Sequence, residues 1–392
     1  MNAQQNKQLR QGLLIGGIVL VAFNLRPALA SVGPLVGAIR ADTGLSNVML
    51  GLLTTLPLLA FGVVSMFTSL FTRKWGIEST LAGALVLLTF GTFLRLFTPS
   101  AALFGGTLLI GIGIAFGNVL LPSLIKRDFP EKSGLMTSIY SSMLGLGATF
   151  AAGVSIPLAN EVGWRWSLAF WAVPAGLALL IWLPQLKFRT VPKHKRRFSK
   201  SLKQLGSAPL AWQVALFMGL QSLAFYVVLA WLPEILQSRG MNAKQAGWML
   251  SLSQGVGVLG TFMIPAWAEK MENQKALIWA LSAIELVSLI GLIMPSAPLA
   301  GLWVSLIGFS LGGSFGLALL FIVLRTSDTE TATELSGLAQ SIGYLLAAAG
   351  PALFGLLYDI SGGWVVPILM LIVVLFTKLV FGLGAARPRQ IG

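Results

Sequence analysis

The sequence predicts an all-α polytopic membrane protein with twelve transmembrane helices in two six-helix halves. Three observations lead to this fold class. The chain has 392 residues, of which 56% are hydrophobic and only 10% are charged, and this is far too apolar for a soluble domain. Apolar runs long enough to cross a bilayer recur along its whole length. The Lys and Arg residues between these runs are distributed unevenly, as in proteins whose loops alternate between two sides of a membrane.

The apolar runs define the expected helices, because about 20 residues at a rise of about 1.5 Å cross the hydrocarbon core. The runs cover 12–39, 47–71, 79–97, 101–125, 134–158, 166–184, 209–233, 245–267, 276–295, 298–324, 333–358 and 364–384. The first run contains Ala28-Leu29-Ala30, which resembles a signal-peptide cleavage site. Apolar residues continue beyond it, so we expect a retained helix.

The distribution of Lys and Arg sets the expected orientation. With the N-terminus in the cytoplasm and Lys378 snorkelling to that side, the cytoplasmic segments carry 21 of the 27 Lys and Arg residues. Apart from Arg26, the remainder lie on the opposite side: Arg40, Arg95, Arg165, Arg239 and Lys244. Cytoplasmic loops are enriched in these residues, so both termini are expected inside. Topology therefore explains the net charge of +14, and we expect no nucleic-acid partner.

The longest polar stretch separates the two expected halves. Residues 1–184 form an N-terminal six-helix half, 185–209 a basic cytoplasmic linker, and 210–392 a C-terminal six-helix half. The linker contains the basic run Lys193–Arg197, which either binds anionic lipid or only sets orientation and solubility.

A weak internal repeat supports the two halves. The tripeptide SGL at 133–135 recurs at 336–338, an offset of 203. Two six-helix repeats are the architecture of many secondary transporters, which bind their substrate at the repeat interface.

Arg26 lies near the middle of the first apolar run, where a guanidinium costs about 2.5–3.5 kcal/mol even on a lenient insertion scale. One continuous helix over 12–39 would surround it with Ala22, Ala30 and Gly33 and leave a face of small residues. Ionisable residues inside membrane helices usually serve function, so we expect Arg26 to line a cavity and meet an anion. The alternative is a structural role, with hydrogen bonds to carbonyls of neighbouring helices.

Several stretches resemble one family of transporters. They are NLRPA at 24–28, GLLTTLP at 51–57, GNVLLPSLIKRDFP at 117–130, and Gln221-Ser222 with Tyr226 and WLP at 231–233. The chain resembles the cyanate and 2-nitroimidazole transporter family of the major facilitator superfamily over nearly its whole length. This resemblance implies the major facilitator fold, working by alternating access without an ATP site, and the sequence has no P-loop.

The chain departs from the superfamily in the loop after helix 2. That loop normally carries an Asp ahead of its basic pair, but here Arg73-Lys74 follows no acid. The sequence therefore lacks the carboxylate that a gating salt bridge at this place would need.

The expected substrate site extends from Arg26 to polar residues on helices that the resemblance assigns to the cavity. These are Asn24, Asn118, Tyr140, Gln221, Tyr226, Gln254, Gln340 and Tyr344. Each is either a ligand contact or an interhelical hydrogen bond. The donor fork of a guanidinium is suited to an oxyanion or a planar polar ring, so Arg26 is the expected main contact.

Glu285, in the predicted helix 9, is the one carboxyl expected within the membrane interior. The resemblance places helix 9 at the periphery, away from helix 1, so we expect no direct pair with Arg26. A lone buried carboxyl prefers its neutral form. Glu285 therefore either carries a coupling proton or is a protonated group bonded to helix 8 or helix 12.

Together these features favour a secondary transporter of a small anion or compact polar compound, resembling those for cyanate or 2-nitroimidazole. The alternative is a proton-driven exporter of a larger organic compound or drug. An enzyme would need clustered acids, His or Cys, and the chain has no Cys and only His194, so we expect no enzyme. We expect no cofactor and no metal site. The expected partners are a small anionic or nitro-heterocyclic substrate and the lipid bilayer, with a monomeric chain in the bacterial cytoplasmic (inner) membrane.

Overall fold

A computed structural model describes residues 3–98, 100–189, 198–294 and 299–391. These residues are almost entirely helical and contain no β-strand, only an isolated bridge between Thr326 and Ile391. The α-helices of this part of the chain are α1 (Ala3–Asn24), α2 (Pro27–Ala30), α3 (Val32–Thr43), α4 (Asn47–Leu94), α5 (Ser100–Asp128), α6 (Ser133–Val162), α7 (Trp164–Ala169), α8 (Ala172–Trp182), α9 (Phe198–Ser207), α10 (Pro209–Gln237), α11 (Ala243–Ala268), α12 (Lys275–Ile293), α13 (Ala300–Leu324), α14 (Thr329–Ser361) and α15 (Val365–Ala385).

The all-helical membrane fold is confirmed. Eleven segments of the described chain are long and apolar enough to cross a membrane. One of them, Met49–Leu94, has 46 residues, more than twice the length that a bilayer needs. Within it Gly76 leaves the helical conformation, at φ 75° and ψ 166°, a region that favours glycine. The segment therefore contains two of the twelve predicted helices.

The helix ends follow ordinary capping chemistry. Ser46 and Asp328 accept hydrogen bonds from the backbone N–H groups three residues ahead and begin α4 and α14. Asn242 begins α11 with a reciprocal pair of hydrogen bonds to Gln245. These short polar side chains satisfy N–H groups that the first helical turn leaves unpaired.

The prediction of one continuous helix over 12–39 is wrong. The chain forms α1, α2 and α3 instead, and Leu25 and Arg26 lie in a turn between the first two. Pro27 causes this break, because proline has no N–H for the helical ladder and its ring crowds the residue before it. Ala22, Ala30 and Gly33 consequently belong to three different helices, so they do not form the expected continuous face.

The chain falls into two compact units. The first comprises Met1–Leu124 and Ile139–Phe198, and the second Ile125–Ser138 and Ser199–Gly392. Residues 125–138, at the junction of the predicted helices 4 and 5, thus group with the second unit. The division into halves at 184 and 210 stays a prediction, and the basic run Lys193–Arg197 lies outside the described residues.

Small residues allow close helix packing in each unit. In the second unit, a Cβ added at Gly308 or Gly312 would lie closer than 3.0 Å to backbone atoms of α11. In the first unit, a Cβ added at Gly91 or Gly106 would lie closer than 3.0 Å to the carbonyl oxygen of the other glycine, so α4 and α5 pack closely there. Membrane helices depend on such contacts, because lipid offers no hydrophobic drive for their association.

Candidate functional site

The break in the first membrane helix holds Arg26, which is half-buried in the first unit. Its backbone lies at φ −119° and ψ −36° and caps α2, because the N–H groups of Leu29 and Ala30 both donate to the Arg26 carbonyl, at 3.1 and 3.0 Å. Non-helical backbone at membrane depth is tolerated where protein or a water-filled cavity surrounds it. Discontinuous helices of this kind form the binding sites of many transporters.

Glycines of the neighbouring helices contact this break directly. A Cβ added at Gly147 of α6 would lie closer than 3.0 Å to the Phe23 carbonyl and 3.3 Å from Pro27 Cδ. A Cβ added at Gly117 of α5 would lie 2.5 Å from a methyl group of Leu25. Gly147 requires the absence of a side chain, so α6 packs against the backbone at the break, whereas α5 packs at Gly117 against the side chain of Leu25.

Arg95 is fully buried in the first unit, although it lies in the connection between α4 and α5. Its Nη1 donates to the Ala28 carbonyl at 2.5 Å, and its Nη2 donates to Thr107 Oγ1 at 3.0 Å. The position of Arg95 at the end of an apolar run predicts that it lies on the side opposite the cytoplasm, which stays a prediction. The structure places its guanidinium against the segment that follows Arg26.

The remaining site residues of the first unit are buried. Asn24 uses both hydrogens of its amide, which donate to the carbonyls of Leu20 at 2.8 Å and Pro174 at 3.1 Å. For Asn24 the structure thus supports the interhelical alternative, although its carboxamide oxygen can still accept a hydrogen bond. Asn118 and Tyr140 are 4% and 1% exposed.

The second unit holds Gln221, Tyr226, Gln254, Gln340 and Tyr344. Gln221 donates to the Leu311 carbonyl at 3.1 Å and accepts from the hydroxyl of the adjacent Ser222 at 3.2 Å, so it also links two helices. Tyr226 and Gln254 are half-buried, whereas Gln340 and Tyr344 are buried. The carboxamide oxygen of Gln340 accepts no hydrogen bond from the described residues.

Glu285 contacts α15, the predicted helix 12 that one alternative named, through a charged partner that the sequence did not identify. Lys378 of α15 forms an ion pair with Glu285 Oε2, and both residues are buried in the second unit. Lys378 therefore does not snorkel to the membrane surface. Two isolated opposite charges within apolar runs are the signal that could have suggested this pair, because an unpaired ion is costly there.

Glu269 is a further residue that the sequence analysis missed. It lies in the second unit, where its carboxylate accepts from the Ser133 hydroxyl at 3.1 Å and from the Leu135 N–H at 3.4 Å. A carboxylate at the start of α6 is stabilised by the positive end of the helix. Gly134 permits this contact, since an added Cβ would lie 2.5 Å from Glu269 Cβ.

Arg325 organises one end of the second unit. Its Nε donates to the Ala385 carbonyl at 2.7 Å, and its Nη2 donates to the Ala386 carbonyl at 3.2 Å and to Gln274. Burial lowers the pKa of the Arg325 guanidinium to about 10, so it stays protonated at neutral pH. The positive charge lies at the carbonyl end of α15, where a helix favours a cation.

Known proteins with similar sequences are transporters. The chain is 44% identical to the "Uncharacterized transporter YycB" of Bacillus subtilis (strain 168), over 98% of this chain and 96% of the relative. It is 40% identical to the 2-nitroimidazole transporter of Escherichia coli (strain K12), over 97% and 96%. It is 31% identical to the cyanate transport protein CynX of the same organism, over 88% and 90%.

The fold leads to the same group of proteins. The crystal structure of the Escherichia coli fucose:proton symporter FucP matches with a TM-score of 0.74, covering 96% of this chain and 99% of the symporter at 14% identity. The sequence model of the Major Facilitator Superfamily matches residues 17–351. With its helical membrane fold and its transporter relatives, the chain is a member of the major facilitator superfamily.

Proposed function

We propose that the protein is a secondary active transporter of a small anion or compact polar compound resembling cyanate or 2-nitroimidazole. The single observation that carries this proposal is Arg26, a half-buried guanidinium at the proline break of the first membrane helix. The relatives named for 2-nitroimidazole and cyanate support the substrate class. Both compounds are small and offer acceptor atoms to a guanidinium.

The chemistry of Arg26 explains why this class fits. A guanidinium presents parallel N–H groups that match the two coplanar oxygens of a nitro group or an oxyanion. Hydrogen bonds that involve a charged group contribute about 1.5–3 kcal/mol. The other polar residues of the expected site stay candidates for additional contacts.

A coupling proton is the second part of the proposal. Glu285 is the candidate carrier, and its buried pair with Lys378 supports a role as a charge that changes partners. Protonation of Glu285 would neutralise its carboxylate and break the ion pair with Lys378. Formation of the pair would then depend on the proton gradient. A proton-driven exporter of a larger organic compound would use the same element, and the direction of proton-dependent flux separates the two functions.

The expected site of action is the bacterial cytoplasmic (inner) membrane, with both termini in the cytoplasm and the chain as a monomer. The bacterial relatives support the membrane, and the asymmetry of Lys and Arg supports the orientation.

Purified protein with Lys or Ala in place of Arg26 tests the proposal. Arg26→Lys keeps the charge but loses the planar fork, so we expect it to bind 2-nitroimidazole at least tenfold more weakly, since about 1.4 kcal/mol corresponds to a factor of ten. Arg26→Ala should lose measurable binding. The control is Arg40→Lys, an exposed arginine of α3. Binding is measured by calorimetry and folding by thermal melting. If Arg26→Ala binds like the parent but melts early, Arg26 is structural and the anion proposal is wrong.

A further inference from the structure

Arg95 is a fully buried cation, and within the described residues it forms no ion pair. Its two terminal nitrogens are hydrogen-bonded to the Ala28 carbonyl and the Thr107 hydroxyl. The Thr107 hydroxyl itself donates to the Leu103 carbonyl at 2.7 Å, so it turns its lone pairs toward the guanidinium. Burial of a charge without a carboxylate is costly. Such a residue is expected to be retained for a specific role.

Helix ends and helix packing accommodate this charge. Arg95 is the C-terminal cap of α4, where the carbonyl end of the helix favours a cation. The close approach of Gly91 and Gly106 lets α5 pass beside its side chain, since a Cβ added at Gly106 would lie 3.1 Å from Arg95 Cγ. The absence of a side chain at Gly106 thus leaves space for the Arg95 side chain between α4 and α5.

The acceptor of Arg95 lies two residues beyond Arg26. Ala28 belongs to α2, which has four residues and ends at Ala30. A single helical turn is too short to be stable by itself, and its last carbonyls need donors from elsewhere. Gly147 of α6 lies against Phe23 and Pro27, which flank the break. Arg95 supplies a charged donor to the Ala28 carbonyl, two residues after Arg26 in the chain.

We propose that Arg95 is a positioning residue for Arg26. By anchoring α2 through the Ala28 carbonyl, it fixes the backbone from which the Arg26 side chain leaves and so orients the guanidinium toward the substrate. This inference rests on the proposed function, in which Arg26 is the main substrate contact. It assigns to Arg95 no contact with the substrate.

Hydrogen exchange tests the anchor without any ligand. The N–H groups of Leu29, Ala30 and Ser31 form the hydrogen bonds of α2, so a peptide that covers them reports its opening. We expect Arg95→Met to speed their exchange at least tenfold. Thr107→Val, which removes one hydrogen bond and little volume, should have a smaller effect in the same direction. Arg40→Met is the control and should leave this peptide unchanged.

Peptides from the second unit are the internal reference, and in every variant their exchange should stay at the parent rate. If exchange at 29–31 is unchanged in Thr107→Val and in Arg95→Lys, the anchor does not exist and the inference is overturned. Arg95→Lys keeps the charge but loses the planar guanidinium that holds the Ala28 carbonyl and the Thr107 hydroxyl together, so it weakens the anchor and provides a folded variant if Arg95→Met does not fold.

Ligand preference tests the positioning role. A misaligned Arg26 loses the two-bond contact with the planar nitro group of 2-nitroimidazole, whereas its charge still attracts the linear cyanate anion. We expect the ratio of the two affinities to shift at least tenfold against 2-nitroimidazole in Arg95→Lys. A structural residue would lower the melting temperature and leave the ratio as in the parent. Raised exchange with an unchanged ratio would therefore overturn the positioning role.

A double-mutant cycle connects the two arginines. If Arg95 acts through the guanidinium of Arg26, adding Arg95→Lys to Arg26→Lys, whose weaker binding can still be measured, should weaken ligand binding no further. Additive losses contradict the inference. If Arg26→Ala alone binds like the parent, the proposed function fails, whereas the exchange experiment still decides whether Arg95 anchors α2.

Discussion

Lys378 and Glu285 form an ion pair that connects α15 to α12 inside the second unit, with both side chains almost completely buried. The Ser310 hydroxyl lies 3.1 Å from the same carboxylate oxygen and 2.8 Å from the Leu281 carbonyl. Each charge makes the other tolerable in a low-dielectric interior, where an ion without a partner is strongly destabilising. The two residues therefore stabilise each other, and the effect of a substitution at one depends on whether the other is still charged.

The first prediction concerns the stability of this pair. Glu285→Gln or Lys378→Met leaves one buried charge without its partner, so each should lower the free energy of unfolding by about 3–5 kcal/mol. The double variant should recover most of this loss, because neither charge remains. Denaturant unfolding of the purified protein measures all three, with the exposed Lys244→Met as the control. Losses that simply add would show that the two side chains are independent.

The second prediction concerns proton coupling. If Glu285 carries the coupling proton, the double variant Glu285→Gln with Lys378→Met should lose accumulation of 2-nitroimidazole driven by a proton gradient, since neither side chain binds or releases a proton. Exchange of 2-nitroimidazole across the membrane should continue, because the binding contacts are elsewhere. Both fluxes are measured in proteoliposomes. Undiminished accumulation would leave the pair a purely structural role.

The third prediction concerns the contact between α6 and the helix break. Gly147→Ala places a methyl group against the Phe23 carbonyl, so we expect it to destabilise the protein by about 1–3 kcal/mol and to weaken ligand binding. Gly153→Ala on the same helix is the matched control, because nothing lies within 4 Å of its added Cβ. There alanine should stabilise by about 0.5–1 kcal/mol. Thermal melting compares the two, and equal melting temperatures would show that the break tolerates a side chain.

The fourth prediction concerns the carboxylate at the start of α6. Glu269→Gln keeps an acceptor for Ser133 but removes the charge that the helix end favours. The loss should be about 0.3–1 kcal/mol, rising to about 2 kcal/mol for a partly buried site. Glu272→Gln, an exposed acid of the same loop, is the control. Faster hydrogen exchange at the first turn of α6 in Glu269→Gln alone is the expected result, and equal exchange in both variants would contradict it.

The fifth prediction concerns orientation. The chain has no cysteine, so a single introduced cysteine reports one position cleanly. A cysteine at Gln390 should be shielded from a membrane-impermeant thiol reagent in intact cells, and one at Asn242 should be labelled. Both side chains are exposed, so protection reflects the side of the membrane. Labelling of position 390 from outside would reverse the orientation that the uneven distribution of Lys and Arg predicts, an asymmetry that remains when the buried Lys378 is left out of the count.

The sequence by itself determined the helical membrane architecture. A bilayer core offers no water to hydrogen-bond with the backbone, so an apolar run of about 20 residues has the helix as its stable solution. Membership of the superfamily was also visible, since the motifs at 24–28 and 117–130 lie in the sequence itself. Arg26 and Glu285 could be singled out because each is an isolated charge within an apolar run.

Only the tertiary structure decided what these charges contact. The burial of Arg95 against Ala28, the pairing of Lys378 with Glu285 and the contact of Glu269 with the start of α6 each join segments that are far apart in the chain. Which helices become neighbours depends on how small residues match across helix surfaces, and in lipid no local hydrophobic pattern records that choice. Pro27 marked the break in the first helix, but the helices that surround the break are set by packing.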